Sequence, residues 1–216
     1  MKIKKLGHCC LLIEYGNDFR ILTDPGGFTI EAQKELKDID MVLITHEHGD
    51  HLHTESLQEI IKNNDQVKIV ANSSVGKILD DLEIKYDLIN NGDSKDWAGI
   101  FIDAFEVKHK EIYGETGRVQ NTGYMIDKRF FYPGDAFINP EREVEILALP
   151  VAGPWMSVKE AIDYLKEIKP KYCFPVHDAV LSKGGKGVHF GWIERTLDEG
   201  TEFIPLEEGQ DYNFNN

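Results

Sequence analysis

Residues 41–57 read MVLITHEHGDHLHTESL, and this stretch decides how the rest of the chain is understood. A continuous apolar run, MVLIT, suits a strand covered on both faces. It ends in four histidines within eight positions, in a chain with only eight histidines in all. Imidazole nitrogen and carboxylate oxygen are the donors that hold zinc and related cations. His46 and His48 share a face of an extended segment. Asp50 and His51 open the next element and can face a second position, and Gly49 suits the tight turn between the two pairs. The local spacing points to two metal sites side by side. His53 lies beyond the cluster and reads as a solvated side chain.

Composition narrows the class. The chain has 216 residues, 41% hydrophobic and 29% charged, with a formal charge of −14. That suits one soluble domain over residues 1–216. So acidic a protein repels phosphate backbones, so nucleic acid is not an expected partner. Three cysteines, Cys9, Cys10 and Cys173, suggest no disulfide framework. The apolar run after the basic start is too short for a secretory signal, and no segment approaches a membrane span. The chain therefore reads as cytoplasmic, with an oligomer left open.

The pass along the chain alternates strands and helices. CCLLIEYGNDFRILTDP reads as a hairpin turning at Gly16, Asn17 and Asp18. IEAQKELKDI has helical periodicity. TESLQEIIKNN follows as a helix with Thr54 as N-cap. VKIVA, IKYDLI, IFIDAFEVKH and EVEILALP read as strands, SVGKILDDL as a helix, and NTGYMID with RFFYP as a hairpin around Asp127 and Lys128. SVKEAIDYLKEIKP is the clearest helix, with Ser157 and Glu160 as a capping box and Pro170 beyond its end. KYCFPVH is a strand and VHFGWIERTLDEG a helix. Strands and helices mixed in both halves favour an α/β fold, with sites just after the strands.

Three further donors follow apolar strands in the same way: His109, Asp135 and His177. Together with HEHGDH they carry a resemblance. The run matches the His-x-His-x-Asp-His signature of the metallo-β-lactamase superfamily, and the later three fall in its usual order. LTDPGGF around Asp24 resembles that family's first motif. LGHCCLLIE resembles the start of the branch containing L-ascorbate-6-phosphate lactonase and N-acyl-phosphatidylethanolamine phospholipase D. In this chain Asp178 stands where many members have an aromatic residue, and His8, Cys9 and Cys10 replace small hydroxyl residues. His8 is left open between the site and a structural role, and the two cysteines read as strand residues facing opposite ways.

The resemblance implies a four-layer αβ/βα sandwich, the metallo-β-lactamase fold. It also implies a metal-dependent hydrolase that uses a hydroxide shared by two divalent ions. His46, His48 and His109 would hold the first ion. Asp50, His51 and His177 would hold the second, and Asp135 would bridge. Asp50 and Asp24 would be the catalytic carboxylates, Asp50 orienting the nucleophile and Asp24 orienting an imidazole. The metals would be zinc, with manganese or iron left open. The expected substrate is a small anionic ester, lactone or phosphodiester. Lys183, Lys186 and His189, in a glycine-rich stretch leading to a helix, would suit its phosphate or carboxylate. Arg118 is a second candidate. Trp155 and Met156 would form either an apolar wall beside the metals or a core plug. The other readings are a metal sensor without catalysis and a nuclease of the same superfamily. The acidic, compact chain disfavours the nuclease.

Overall fold

A computed structural model describes residues 1–16 and 18–214. In chain order the elements are strands Lys2–Gly7 (β1), Cys10–Tyr15 (β2) and Phe19–Thr23 (β3), helix Ile30–Gln33 (α1), and strand Met41–Ile44 (β4). Helix Thr54–Asn63 (α2), strand Lys68–Ala71 (β5), helix Ser73–Asp81 (α3) and strand Asp87–Leu88 (β6) follow. Next come strands Ser94–Trp97 (β7), Ile100–Lys108 (β8), Gln120–Ile126 (β9), Phe130–Tyr132 (β10) and Ile146–Pro150 (β11). Helix Val158–Ile168 (α4), strand Tyr172–Val176 (β12), helix Lys183–Arg195 (α5), and strands Glu202–Phe203 (β13) and Asp211–Asn213 (β14) complete the chain.

Two compact units divide these elements: Met1–Ile89 with Leu206–Asn216, and Asn90–Pro205. Each contains a seven-stranded sheet. The first runs β14-β1-β2-β3-β4-β5-β6 and the second β13-β12-β11-β10-β9-β8-β7. Both follow one scheme. In the first unit β14, β1, β2 and β3 pair antiparallel, and β3, β4, β5 and β6 pair parallel. In the second, β7 to β10 pair antiparallel and β10 to β13 parallel. Strands β1, β3, β4 and β5 therefore all end on one edge of the first sheet, and β8, β10, β11 and β12 on one edge of the second.

The parallel strands are the continuous apolar runs. Every residue of β4 and of β11 is buried, as strands covered on both faces require. In the first unit Leu22, Val42 and Ile69 pack with Leu57 and Ile60 of α2 and Val75 and Leu79 of α3. In the second, Phe131, Leu147 and Leu149 pack with Ala161, Tyr164 and Leu165 of α4. The β9–β10 turn places Asp127 and Lys128 at φ 50 and 57, a two-residue left-handed turn that matches strand twist. The β2–β3 hairpin forms with Leu12 opposite Leu22; of its expected turn, Asn17 lies outside the described residues. The Ser157–Glu160 capping box is present on α4.

Several elements differ from the sequence reading. The helix expected over IEAQKELKDI is only Ile30–Gln33. Beyond it Asp38 takes φ 59, and the Ile39 N–H donates to Asn64 Oδ1 at 2.9 Å, so that Leu36 and Ile39 reach the core instead of one helix face. The N-cap of α2 is His53, whose Nδ1 accepts from the Ser56 N–H at 3.2 Å, and Thr54 is the first helical residue. His53 is thus a cap and not a merely solvated side chain. The strand in IKYDLI shrinks to two exposed residues at the sheet edge. The glycine-rich stretch before Val188 is already helix: α5 starts at Lys183, capped by Ser182 Oγ accepting from the Gly185 N–H at 3.1 Å. Cys9 lies in the turn before β2, and Cys9 and Cys10 are both buried. Burial pushes the Cys10 and Cys173 thiols up to about 12, which leaves them unreactive. Among the described residues no helix is long and apolar enough to cross a membrane.

The loop after β3 fixes the loop after β4. A Cβ at Gly26 would lie 1.7 Å from the Asp50 carbonyl oxygen, and the Gly27 N–H donates to the Gly49 carbonyl at 2.8 Å. Only glycine allows this backbone contact. Gly26→Ala should destabilise the protein by about 1–3 kcal/mol, the usual range for overpacking, measured by urea unfolding. In the second unit, Lys110 donates to Glu160 at 2.6 Å. That bond, with the Ser157 cap, holds the Glu160 carboxyl at about 2, below its ordinary 4.5. A depressed folded-state value contributes stability above the ordinary range, lost as pH falls through it. The difference in urea midpoint between wild type and Glu160→Gln should therefore be full above pH 4.5 and shrink towards pH 2; a difference independent of pH would contradict this.

Candidate metal centre

The first unit gathers His8, Asp24, His46, His48, Asp50 and His51. His8 follows β1, Asp24 follows β3, and the HEHGDH loop follows β4, all on the edge where these strands end. Parallel-sheet edges of this kind carry sites because several loops open there together. The donor atoms of His8, Asp50 and His51 lie within 4.8 Å of one another, as do those of His46 and His48. His8 Nε2 is 3.2 Å from Asp50 Oδ2, and its ring meets those of Phe28 and His51 edge-on. His8 thus lies beside the HEHGDH donors.

Asp24 lies beneath this group, fully buried. Its Oδ1 accepts from the Thr45 N–H, and its Oδ2 accepts from the Thr45 hydroxyl and from His51 Nδ1, each at 2.7 Å. The Thr45 hydroxyl, having given its proton to Asp24, accepts from His46 Nδ1 at 2.9 Å. Asn72, the cap of α3, donates to the Thr45 carbonyl at 2.9 Å. Asp24 thus acts through His51 and Thr45. Asp50 keeps 27% of its side chain exposed.

The second unit gathers His109, Asp135 and His177, at the ends of β8, β10 and β12. Asp135 Oδ2 is 3.2 Å from His109 Nε2 and 2.9 Å from His177 Nε2. The Asp135 N–H donates to Asn121 Oδ1, and its carbonyl accepts from the Lys110 N–H, both at 2.9 Å. The Lys110 carbonyl accepts from His109 Nδ1 at 2.6 Å. Three donor-cluster residues, His8, Asp24 and His177, take φ 47, 36 and 57, a region that non-glycine residues enter only when the surroundings hold them there.

These contacts test whether a metal fits. His46, His51 and His109 each turn Nδ1 towards a group that can accept its proton: a hydroxyl, a carboxylate and a carbonyl. Each Nε2 is then left as a lone pair, the form in which imidazole binds metal. At His109 that lone pair faces a carboxylate oxygen at 3.2 Å. Two acceptors at that distance call for positive charge between them. The donor set fits a borderline cation such as zinc.

The remaining site candidates lie on or near α5. Lys186 pairs with the buried Asp178 at 2.9 Å, and His189 Nδ1 donates to the Val151 carbonyl at 2.8 Å. Lys183 is the exposed first residue of the helix. Arg118 pairs with Glu115 at 3.0 Å. Trp155 is buried against His109, His177 and Phe137. Sequence reasoning missed Thr45, Asn72, Lys110 and Asn121. The one available signal was at Thr45, a hydroxyl closing an otherwise apolar strand directly before His46.

The family model described as the beta-lactamase superfamily domain matches residues 2–177. The chain is 29% identical to the protein Rv0786c of Mycobacterium tuberculosis, over 96% of this chain and 98% of that one. It is 28% identical to the UPF0173 metal-dependent hydrolase PH1671 of Pyrococcus horikoshii, over 82% and 84% of the two. Among solved structures it is similar to YhfI of Bacillus subtilis, described as a metallo-beta-lactamase fold protein, with a TM-score of 0.75, 16% identity and 98% of each chain covered. The α/β class and the layered fold expected from the sequence are those of these relatives, and the chain belongs to the metallo-β-lactamase superfamily.

Proposed function

We propose that this chain, a metal-dependent hydrolase, holds two divalent ions and cleaves a small anionic ester, lactone or phosphodiester. The coarse activity is that of relatives named metal-dependent hydrolases. The observation that carries the finer reading is the fixed tautomer of His46, His51 and His109 described above, repeated in both units. The reading assigns ligands as the family resemblance implies: His46, His48 and His109 for one ion, Asp50, His51 and His177 for the other, Asp135 for both. Zinc suits the nitrogen-rich set best. Such ions, when bound, supply a water acidic enough to lose a proton near neutral pH and positive charge for an oxygen that gains electrons.

The chain's own groups do the rest. Asp50 is the carboxylate that solvent reaches, its side chain 27% exposed against 0% for Asp24 and 3% for Asp135. It orients the attacking water and takes up its proton. Asp24 keeps His51 in the productive tautomer without meeting the substrate. Lys183 and Lys186, in the first turn of α5, supply the preference for an anion, and Asp178 holds Lys186 in place.

Elemental analysis of the purified protein should find two ions per chain. Asp135→Asn and His48→Ala should each lower metal affinity or turnover about 10- to 100-fold or more, assayed on a bis-aryl phosphodiester, a sugar lactone, an aryl ester and nitrocefin. Full metal content and full turnover in both variants would defeat the assignment, and turnover of nitrocefin alone would defeat the substrate class. Lys186→Ala should raise KM for the anionic substrate with kcat little changed; an unaltered KM would remove Lys186 from the binding role.

A further inference from the structure

The second unit contains a polar group that the metal set does not use. Residues 153–156, Gly-Pro-Trp-Met, form a tight turn after β11, closed by the Met156 N–H donating to the Gly153 carbonyl at 3.3 Å. Pro154 restricts the backbone within it. The turn directs the Trp155 side chain inward, where only 4% remains exposed. Its ring stands edge-on to His109 and His177, with centroids 5.8 and 5.6 Å away, and Phe137 packs 5.5 Å away. Indole Nε1–H can only donate. Here it is buried and meets no acceptor among the described residues. Buried donors in native proteins are almost always satisfied, and the few exceptions mark places where something else accepts.

The position of that donor is informative. A Cβ built on Gly153 would lie 2.8 Å from Trp155 Nε1 and 3.2 Å from His177 Cε1. Nε1 and the His177 ring therefore border the same small space, which exists because residue 153 has no side chain. Gly153 is itself partly exposed, so the space is not sealed in the core. The two imidazoles beside it belong to the His109–Asp135–His177 group.

We propose that Trp155 Nε1–H donates a hydrogen bond to an oxygen of the bound substrate, a phosphoryl, carboxylate or ester carbonyl oxygen, across the bare face of Gly153. The inference rests on the hydrolase reading above and deepens it. Trp155 is a substrate-positioning residue that selects molecules carrying an acceptor oxygen beside the cleaved bond. The turn serves as its mount, and Phe137 and the two imidazoles fix the plane of the ring. The apolar wall and the core plug considered from the sequence describe the ring's faces but leave out its one polar atom.

Trp155→Phe keeps an aromatic ring and deletes the donor. In the zinc-loaded protein it should lower kcat/KM about 10- to 100-fold, as the loss of a hydrogen bond to a charged oxygen does, with metal content and melting temperature close to wild type; a purely structural role would move the melting temperature instead. Gly153→Ala, which fills the space, should reduce kcat/KM in the same way. A second measurement does not depend on turnover. The chain has three tryptophans, Trp97, Trp155 and Trp192, so indole-labelled protein gives three N–H signals, with that of Trp155 assigned by its absence in Trp155→Phe. Added inorganic phosphate should shift the Trp155 signal downfield in a saturable manner and leave the other two in place. If wild type hydrolyses none of the panel substrates while the Trp155 signal still titrates, the proposed substrate class fails and the donor role stands. If the signal stays fixed with phosphate, or Trp155→Phe turns over like wild type, the donor role is overturned.

Discussion

A buried carboxylate, Asp24, is the constraint on which the donor cluster of the first unit depends. A carboxylate with no exposed surface must find donors within the protein, because nothing else replaces its lost water. Asp24 takes two from Thr45 and one from His51, each at 2.7 Å. Those bonds cannot form unless the loops after β3 and β4 sit against each other, and the bare backbone of Gly26 allows that approach. The burial that makes Asp24 costly to leave unpaired also makes the HEHGDH loop rigid. Rigid first contacts are what a metal site needs, since loosely held ligands lose affinity to side-chain entropy.

The second unit reaches the same end by other means. Under His109 the support is the Lys110 carbonyl, and the Asn121 amide oxygen accepts from the Asp135 N–H. Lys110 carries most of it. Its N–H donates to Asp135, its carbonyl accepts from His109, and its ammonium binds Glu160 in the capping box of α4. One residue therefore couples a donor loop to the most regular helix of the unit. Although the two sheets share one strand scheme, the aspartate after β3 holds an imidazole by its Nδ1, whereas the aspartate after β10 faces the Nε2 atoms of two.

Much of this was legible from residue order. HEHGDH is contiguous, so its four donors could be recognised without any tertiary information. The apolar runs of β4 and β11 and the caps of α4 are equally local signals. The meeting of His109 with Asp135 spans 26 residues, and only the family's motif order, not any pattern in the residues between, pointed to it. Thr45, Asn72, Lys110 and Asn121 were invisible for a physical reason: a small polar residue has no periodicity, and its partner is set by the fold. Strands β7 and β14 escaped because edge strands rich in charge carry no apolar run. The Gly-Lys stretch before Val188 reads as a loop by glycine propensity, yet the Ser182 cap and packing of the later helix carry α5 back through it.

The left-handed backbone at His8, Asp24 and His177 has a bearing on how this protein can adapt to heat. Each such residue gives up on the order of 1 kcal/mol of conformational ease. The same backbone occurs in turns such as those at Asp38, Asp127 and Lys128, but at His8, Asp24 and His177 it sets directions a relaxed strand end does not offer. Gains in thermal endurance must therefore be sought in the helices, edge strands and surface ion pairs, because easing the backbone at these three points would trade away the aim of the donors for durability.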